Sequence, residues 1–408
     1  MTEGLRHLAR NVEPSIRQNW IEPDPDPGRG PGHEAEGPLE QAERLRRDHP
    51  EWSPDLAAAI AGQRELIHRG RTSGQIPPVP WLATRTGLEQ STRPPVALRR
   101  ARILASTGIS SMVDLTAGLG VDSWAATEVG LQIVAVERDP LTADLCRANV
   151  PGVDVHEGDA QAVAAHPDDF LAKLRGPTCW FVDPSRRGSA QRSDGLRSAP
   201  ERDPHRWSPP WSFVEELIKQ GRYVAAKAPG GFTPAEHWAV EWVGLGDYVV
   251  ECAAYSLPGP PLTFHRQATL LEDDRTLTFE VSDQSAPVGP LQEFLAEPHP
   301  VFHRALSAVC EQGLWAVHVD STFLTADAPI GQGVRWFRVL ATTPINRTRD
   351  ALRDLGISAA AIKSRESRTL LATLRKKFRV ADGNHYAIVL ARGLNEAIIV
   401  ERVSPQSR

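Results

Sequence analysis

The sequence predicts a multidomain α/β protein: a helical N-terminal region, a parallel sheet with helices between its strands, and a small α/β domain at the C-terminus. Three observations carry that expectation. Short apolar strands alternate with amphipathic stretches across residues 106–285, the pattern of a parallel α/β sheet. From about residue 334 a second strand–helix pattern begins, compact enough to be a domain of its own. The chain has 408 residues, which suits two or three domains better than one.

The elements follow in order. Residues 1–50 form a segment for which no core is expected, because 21–40 are rich in Pro, Gly and acid. Residues 51–105 read as helical, with breaks at Gln75–Pro80 and Arg93–Pro95. The strands of the sheet are expected at 111–114, 131–137, 153–157, 178–183 and 222–227, with further strands at 248–256 and 276–281. Residues 286–333 read as a connector with one helix over 300–315. The tail, 334–408, reads β-α-β-α-β-β: strands at 335–341, 358–363, 385–391 and 396–402, helices at 347–356 and 369–378.

Composition narrows the function classes. A net charge of -5 gives no global basic footprint, so any nucleic-acid partner must be held by local patches. Cys146, Cys179, Cys252 and Cys310 are far apart and read as buried thiols in a reducing compartment, with no metal site and no disulfide frame. No apolar run nears the roughly 20 residues that span a bilayer, and the first residues lack a signal-peptide core. The expectation is a cytoplasmic protein with no membrane partner; oligomeric state stays open.

The chemistry concentrates at strand ends. The first strand runs into Asp114-Leu-Thr-Ala-Gly-Leu-Gly120, a glycine turn that lets a ligand approach the backbone. The second ends in Glu137, the third near Asp159 and the fourth in Asp183. The steps of 23, 22 and 24 residues are one strand–helix unit each. Acids therefore recur at the carboxyl edge of four strands, where open α/β sheets bind ligands. Glu137 lies where a ribose-hydroxyl acceptor is expected, which alone would also fit NAD. Asp114, however, sits inside the turn, where a carboxylate repels a pyrophosphate and attracts an ammonium, and Ser123 replaces the third glycine of a dinucleotide fingerprint. A nucleoside with a ribose, an ammonium and no phosphate fits better. S-adenosylmethionine is such a molecule, with Asp159 accepting from its adenine amino group. The competing reading of each acid is a helix N-cap.

On these residues the chain resembles class I S-adenosylmethionine-dependent methyltransferases. The motifs are Asp114–Gly120, Glu137, Gly158-Asp159-Ala160 and Phe181-Val-Asp-Pro-Ser185. More narrowly, residues 85–403, about three quarters of the chain, resemble bacterial members with a C-terminal THUMP-like domain. The segment 88–104 resembles the helix leading into the cofactor domain. Residues 361–378 and 391–402 resemble the THUMP-like module. The resemblance implies a Rossmann-like class I methyltransferase sheet. It implies a cofactor held by Asp114, Thr116, Ala117, Gly118, Gly120, Glu137, Arg138, Asp159, Ala160 and Asp183. Catalysis would fall to Asp183 and Pro184.

The turn after the fourth strand decides the acceptor. In amino-methylating nucleic-acid enzymes an acid or amide followed by Pro-Pro and an aromatic residue accepts hydrogen bonds from an exocyclic amine, so catalysis is mainly positioning. Asp183 and Pro184 match that pattern; Ser185 replaces the second proline and Arg186 the aromatic residue. Uridine C5-methyltransferases spell the turn Asp-Pro-Pro-Arg but need a cysteine nucleophile. The next strand ends Lys227-Ala-Pro-Gly-Gly231, and Cys252 reads as core, so C5 chemistry is rejected. Ser185, Arg186 and Arg187 are expected to bind substrate. The stretch 186–211 carries six arginines with Trp207 and Trp211, which suits RNA unless the tryptophans merely anchor a loop. In the tail, Lys363, Arg365, Arg368, Arg375, Lys376, Lys377 and Arg379 face one acid, Glu366, across residues 361–380. Arg375, Lys376 and Lys377 are the expected RNA contacts, against the competing reading of a solvated helix face. The expected function is methyl transfer to a nitrogen of a nucleoside in tRNA or rRNA. The alternatives are methyl transfer to a small molecule or protein, and a non-catalytic RNA-binding protein that keeps the fold.

Overall fold

A computed structural model describes residues 2–13, 16, 20–21, 37–186, 200–257, 262–364, 368–391 and 394–403, with backbone alone at 169 and 368–371. The chain divides into two compact units. The first comprises 1–228, 234–238 and 253–263; the second comprises 229–233, 239–252 and 264–408.

The first unit begins with helices α1 (Thr2–Asn11), α2 (Pro38–Asp48), α3 (Pro54–Thr72), α4 (Arg85–Gln90) and α5 (Pro94–Ser106). Helix α3 starts where Ser53 Oγ accepts from the Leu56 N–H at 3.2 Å, with Pro54 at the first helical position. Gly4 lets α1 cross the start of α3: a Cβ there would lie 2.1 Å from the Asp55 carbonyl oxygen. Leu8 and Ile60 are fully buried in a cluster that includes Ala125 and Leu145 of the sheet's helices. Residues 2–11 and 38–48 are thus packed helices, and the expectation of a coreless segment over 1–50 does not hold for them. Most of the Pro/Gly/acid stretch that prompted it lies outside the described residues.

Strands β1 (Ser111–Asp114), β2 (Gln132–Glu137), β3 (Asp154–Glu157), β4 (Thr178–Val182) and β5 (Tyr223–Ala228) lie in the order β3-β2-β1-β4-β5, all parallel. Helices α6 (Val121–Glu128), α7 (Pro140–Asn149), α8 (Ala160–Ala165), α9 (Asp168–Leu171) and α10 (Trp211–Lys219) connect them. The order reverses at β1, so β1 and β4 are neighbours although two strand–helix units separate them in sequence. That brings the Asp114 turn beside the Asp183 turn.

The second unit holds β6 (Ala239–Leu245), most of β7 (Tyr248–Ser256), β8 (Arg266–Leu271) and β9 (Thr276–Glu280), in the order β7-β6-β8-β9. Its other sheet joins β10 (Phe294–Pro298), β11 (Trp315–Ala316), β12 (Leu324–Ala326), β13 (Val334–Pro344), β14 (Ala361–Ser364), β15 (Tyr386–Leu390) and β16 (Glu396–Arg402), in the order β11-β12-β10-β13-β16-β15-β14. Helices α12 (Thr348–Asp354) and α13 (Arg368–Phe378) complete the tail in the expected β-α-β-α-β-β order. Side chains of β16 alternate between two cores, Ile399 with Phe378 and Leu352, Val400 with Phe337 and Leu295. The expected connector is no bare link, since β10, β11 and β12 from it belong to this sheet. Its expected single helix is a 3₁₀ turn (Pro300–Arg304) and a short α11 (Leu306–Cys310), broken where Ala305 leaves helical geometry and Gly313 turns left-handed at φ 92°.

Candidate active site

The site is built at the carboxyl edge of β1, β2, β3 and β4. Asp114 closes β1 and is fully buried. One of its oxygens accepts from Ser123 Oγ at 2.7 Å and the other from the Thr116 N–H at 3.2 Å. Burial pushes its carboxyl up to about 7; the nearby Asp122 and Asp183 charges push the same way, and the two hydrogen bonds oppose them. Asp114 therefore shapes the turn from inside. Along the turn Thr116 and Gly118 are half-buried and Ala117 is buried. Gly118 (φ 55°) and Gly120 (φ 91°) are both left-handed. A Cβ on Gly118 would meet nothing within 4 Å, which leaves the close backbone approach open on that side. The Ala117 N–H is held by the Val136 carbonyl at 2.9 Å.

Glu137 is half-buried at the end of β2. Its Oε2 accepts from the Gly118 N–H at 2.9 Å and its Oε1 from the Asp139 N–H at 2.8 Å. The acid thus ties its strand to the glycine turn, and a carboxylate retains further acceptor sites after two bonds. Asp159 is the N-cap of α8: Oδ1 takes the Gln161 N–H at 2.9 Å and the Ala162 N–H at 3.2 Å. The capping reading holds for Asp159, with both bonds on one oxygen. Ala160 is buried in the first turn of that helix.

The Asp183 turn is fastened to the glycine turn. The Asp183 N–H donates to Thr116 Oγ1 at 2.7 Å. Asp183 Oδ2 pairs with Lys227 Nζ at 2.6 Å, Lys227 donates to Thr92 Oγ1 at 3.0 Å, and Thr92 donates to Asp122 Oδ2 at 2.7 Å. Arg100 pairs with the other oxygen of Asp122 and lies 4.9 Å over the Phe181 ring. Sequence reasoning missed this chain of partners. Its one visible trace was Lys227 at the end of a strand, level with Asp183 once β4 and β5 are in register.

Pro184 is buried, and Ser185 forms a two-way backbone bridge with Ser208 at 2.8 and 2.9 Å. Arg138, expected against cofactor, donates to Ser208 Oγ at 2.9 Å, so it joins the end of β2 to the segment that returns to the Asp183 turn. The carbonyl of Arg186 accepts from the Glu201 N–H at 2.8 Å. Arg187 lies outside the described residues, as do Arg192 and Arg197. Trp207 and Trp211 are buried, with ring centroids 6.0 Å apart, and Trp211 lies 5.7 Å from Trp238. Among the described residues they are core side chains, with little ring surface left for stacking a base.

The tail stripe is thinner than its charge count. Lys363 is spent on Glu297 at 2.7 Å and on the Phe337 ring. Arg375 pairs with Asp382 at 2.7 Å, which raises its own pKa and lowers that of the acid. Lys376, Lys377 and Arg379 are exposed. Arg365 and the side chain of Arg368 lie outside the described residues.

All four cysteines are buried and free, and burial pushes the Cys252 thiol up to about 12, in keeping with a core residue. Among the described residues no helix is long and apolar enough to cross a membrane.

Known proteins align with this organisation. Residues 334–402 match the family model described as THUMP domain-like. Two proteins of Mycobacterium tuberculosis, from strains CDC 1551 and H37Rv, are each described as an uncharacterized S-adenosylmethionine-dependent methyltransferase. Each is 24% identical over 323 residues, which is 76% of this chain and 85% of the relative. The crystal structure of a candidate methyltransferase from Porphyromonas gingivalis W83 superposes with a TM-score of 0.64 at 19% identity, covering 99% of this chain and 97% of that one, and so shares the fold. With the glycine turn, the row of edge acids and the matched tail, the chain is similar to S-adenosylmethionine-dependent methyltransferases and carries a THUMP domain-like module at its C-terminus.

Proposed function

We propose that this methyltransferase acts on a nitrogen of a nucleoside in RNA, tRNA or rRNA. The carrying observation is the 2.7 Å bond from the Asp183 N–H to Thr116 Oγ1, which joins the turn read as acceptor-binding to the turn read as cofactor-binding. The residues fit S-adenosylmethionine: an open left-handed Gly118, a half-buried Glu137 with acceptor capacity to spare for ribose hydroxyls, and Asp159 with one oxygen uncommitted to its cap. Gly120, Ala117, Arg138 and Ala160 frame that surface. Asp114, with its oxygens enclosed by Ser123 and the Thr116 N–H, holds the turn in shape. Bound there, the cofactor supplies an electrophilic methyl group on a sulfonium.

The chain's own part is positioning. Asp183 and the Pro184 carbonyl accept hydrogen bonds from the acceptor amine and so aim its lone pair. Asp183 or water takes the proton that the methylated nitrogen gives up. Ser185 and Arg186 border the acceptor. The THUMP-like tail, with Lys376 and Lys377 exposed, holds a remote part of the RNA, and two tethered contacts raise each other's effective concentration.

The test compares modified nucleosides, by mass spectrometry, in RNA from cells with and without the gene. A methylated nucleoside should vanish and return on incubating that RNA with purified protein and cofactor. RNA that never accepts methyl, alongside tight cofactor binding, would move the activity to a small-molecule or protein substrate. Asp183→Ala should abolish turnover while cofactor affinity stays close to wild type.

A further inference from the structure

We propose that Lys227 is a positioning residue for methyl transfer: it clamps Oδ2 of Asp183 and leaves Oδ1 to the acceptor. This rests on the reading of Asp183 given above. In the register of β4 and β5, Val182 lies opposite Ala226, so Asp183 and Lys227 leave the sheet edge side by side. Their ion pair is 2.6 Å long, with the side chains 29% and 15% exposed, so it is screened less than a surface pair. Among the described residues no donor is seated on Oδ1 of Asp183.

Lys227 is itself held. Thr92 Oγ1 accepts from its ammonium and spends its own proton on Asp122, which Arg100 holds from the other side. Asp183, Lys227, Asp122 and Arg100 thus alternate in charge along one chain of bonds. The alternation answers a specific difficulty. Asp183 and Asp122 both raise the cost of charge on buried Asp114. Three carboxylates at one edge would repel one another, and Asp183 would swing toward water. An ammonium fixed by Thr92 offsets part of that repulsion and holds Asp183 at the edge. The carboxylate is held as a hydrogen-bond acceptor with one working oxygen, in a place set by the sheet. A misplacement of about 1 Å in such a group can cost about 100-fold in rate.

The experiment uses the full chain, labelled S-adenosylmethionine and total RNA from cells lacking the gene. It compares Lys227→Met, Lys227→Arg, Asp183→Asn and the double variant Asp183→Asn/Lys227→Met. Lys227→Met should lower turnover by about 10- to 100-fold. Lys227→Arg, which keeps the charge on a longer arm, should recover part of that. On the Asp183→Asn background, Lys227→Met should cost nothing further, because residues acting through one another are not additive. Two readouts do not depend on turnover. Cofactor affinity by calorimetry should stay within about twofold in every variant, and the shifts in Tm around the cycle should be non-additive as well. Wild-type turnover in Lys227→Met, fully additive losses, or a loss of cofactor affinity parallel to turnover would overturn the proposal. If Asp183→Asn keeps full turnover, or wild-type protein methylates no RNA, the reading of Asp183 fails first and Lys227 falls with it. An inactive Asp183→Asn beside an unaffected Lys227→Met sinks the Lys227 proposal alone.

Discussion

Gly118 and Gly120 share one turn, and alanine at each should do opposite things. At Gly120 (φ 91°) a Cβ would lie 2.8 Å from Val150 Cγ2 and 2.9 Å from Cys146 Sγ, both inside the core. The left-handed backbone costs a non-glycine residue about 1–2 kcal/mol. Overpacking a well-filled core adds about 1–3 kcal/mol. Stiffening the unfolded chain offsets about 0.4–1 kcal/mol. Gly120→Ala should therefore cost about 2–4 kcal/mol, a large share of a typical domain stability of about 5–15 kcal/mol. At Gly118 (φ 55°) nothing lies within 4 Å of the added Cβ, so only the backbone cost remains, about 1 kcal/mol net. The same Cβ would stand on the face proposed to meet the cofactor. Gly118→Ala should thus unfold near the wild-type urea midpoint yet bind S-adenosylmethionine more weakly, by about tenfold for each 1.4 kcal/mol of binding energy removed. Urea unfolding followed by circular dichroism and calorimetric titration read the two quantities separately. Equal stability losses at the two positions, or weaker binding by Gly120→Ala than by Gly118→Ala at equal folded fraction, would refute the division of labour.

Further outcomes follow from the ion pairs and the buried acid. Asp114 has its carboxyl raised to about 7 from an ordinary 3.8, so the folded state holds that proton more tightly than the unfolded chain does. This contribution to stability falls as pH rises from about 4 to about 7, and the difference in Tm between wild type and Asp114→Asn should shrink or reverse over that window; a pH-independent difference would show that Asp114 is ionised throughout. Buried Asp144 of α7 is held by Arg10 at 2.8 Å and more loosely by Arg6 at 3.8 Å, so the double variant Arg6→Ala/Arg10→Ala should lower Tm and expose α1 to proteolysis, and an unchanged digestion pattern would leave α1 held by Leu5 and Leu8 alone. In the tail, Lys376→Ala/Lys377→Ala should flatten the salt dependence of RNA binding by up to about one unit of slope for each phosphate no longer neutralised, whereas Arg375→Ala should do less because Asp382 already occupies that guanidinium.

What could be read in the sequence was whatever a residue does within its own element. Strands β1 to β5 show as apolar runs, and the acids that end them fall one strand–helix unit apart, so the edge of the sheet was legible from the residues alone. β6 was not, because Glu241 interrupts its apolar run; that charge is buried and met by Gln267 and Thr269 of β8, partners 26 and 28 residues away. Helix α1 hid for a similar reason: only Leu5 and Leu8 mark its apolar face, and the arginines around them look solvated until Asp144 is brought beside them. Trp207 and Trp211 would look the same in a base-stacking loop as in an anchored one.

Charge pairing is the quantity a sequence hides most completely, and here it bears directly on RNA binding. Counting charges across residues 361–380 gives a dense basic stripe. Lys363 is withdrawn by Glu297, however, and Arg375 by Asp382, the latter just beyond the counted window. Counterion release scales with the phosphates a protein neutralises, and a cation already neutralised by a carboxylate releases little. Among the described side chains, that leaves Lys376, Lys377 and Arg379 to work with. These cations alone give a shallow salt slope and weak affinity. On the proposed RNA function, the tail acts chiefly through its covalent attachment to the methyltransferase unit, where even a weak second foothold multiplies the first. It follows that the isolated stripe should bind RNA poorly, while the same side chains in the full chain should matter to turnover at low RNA concentration and cease to matter at saturation.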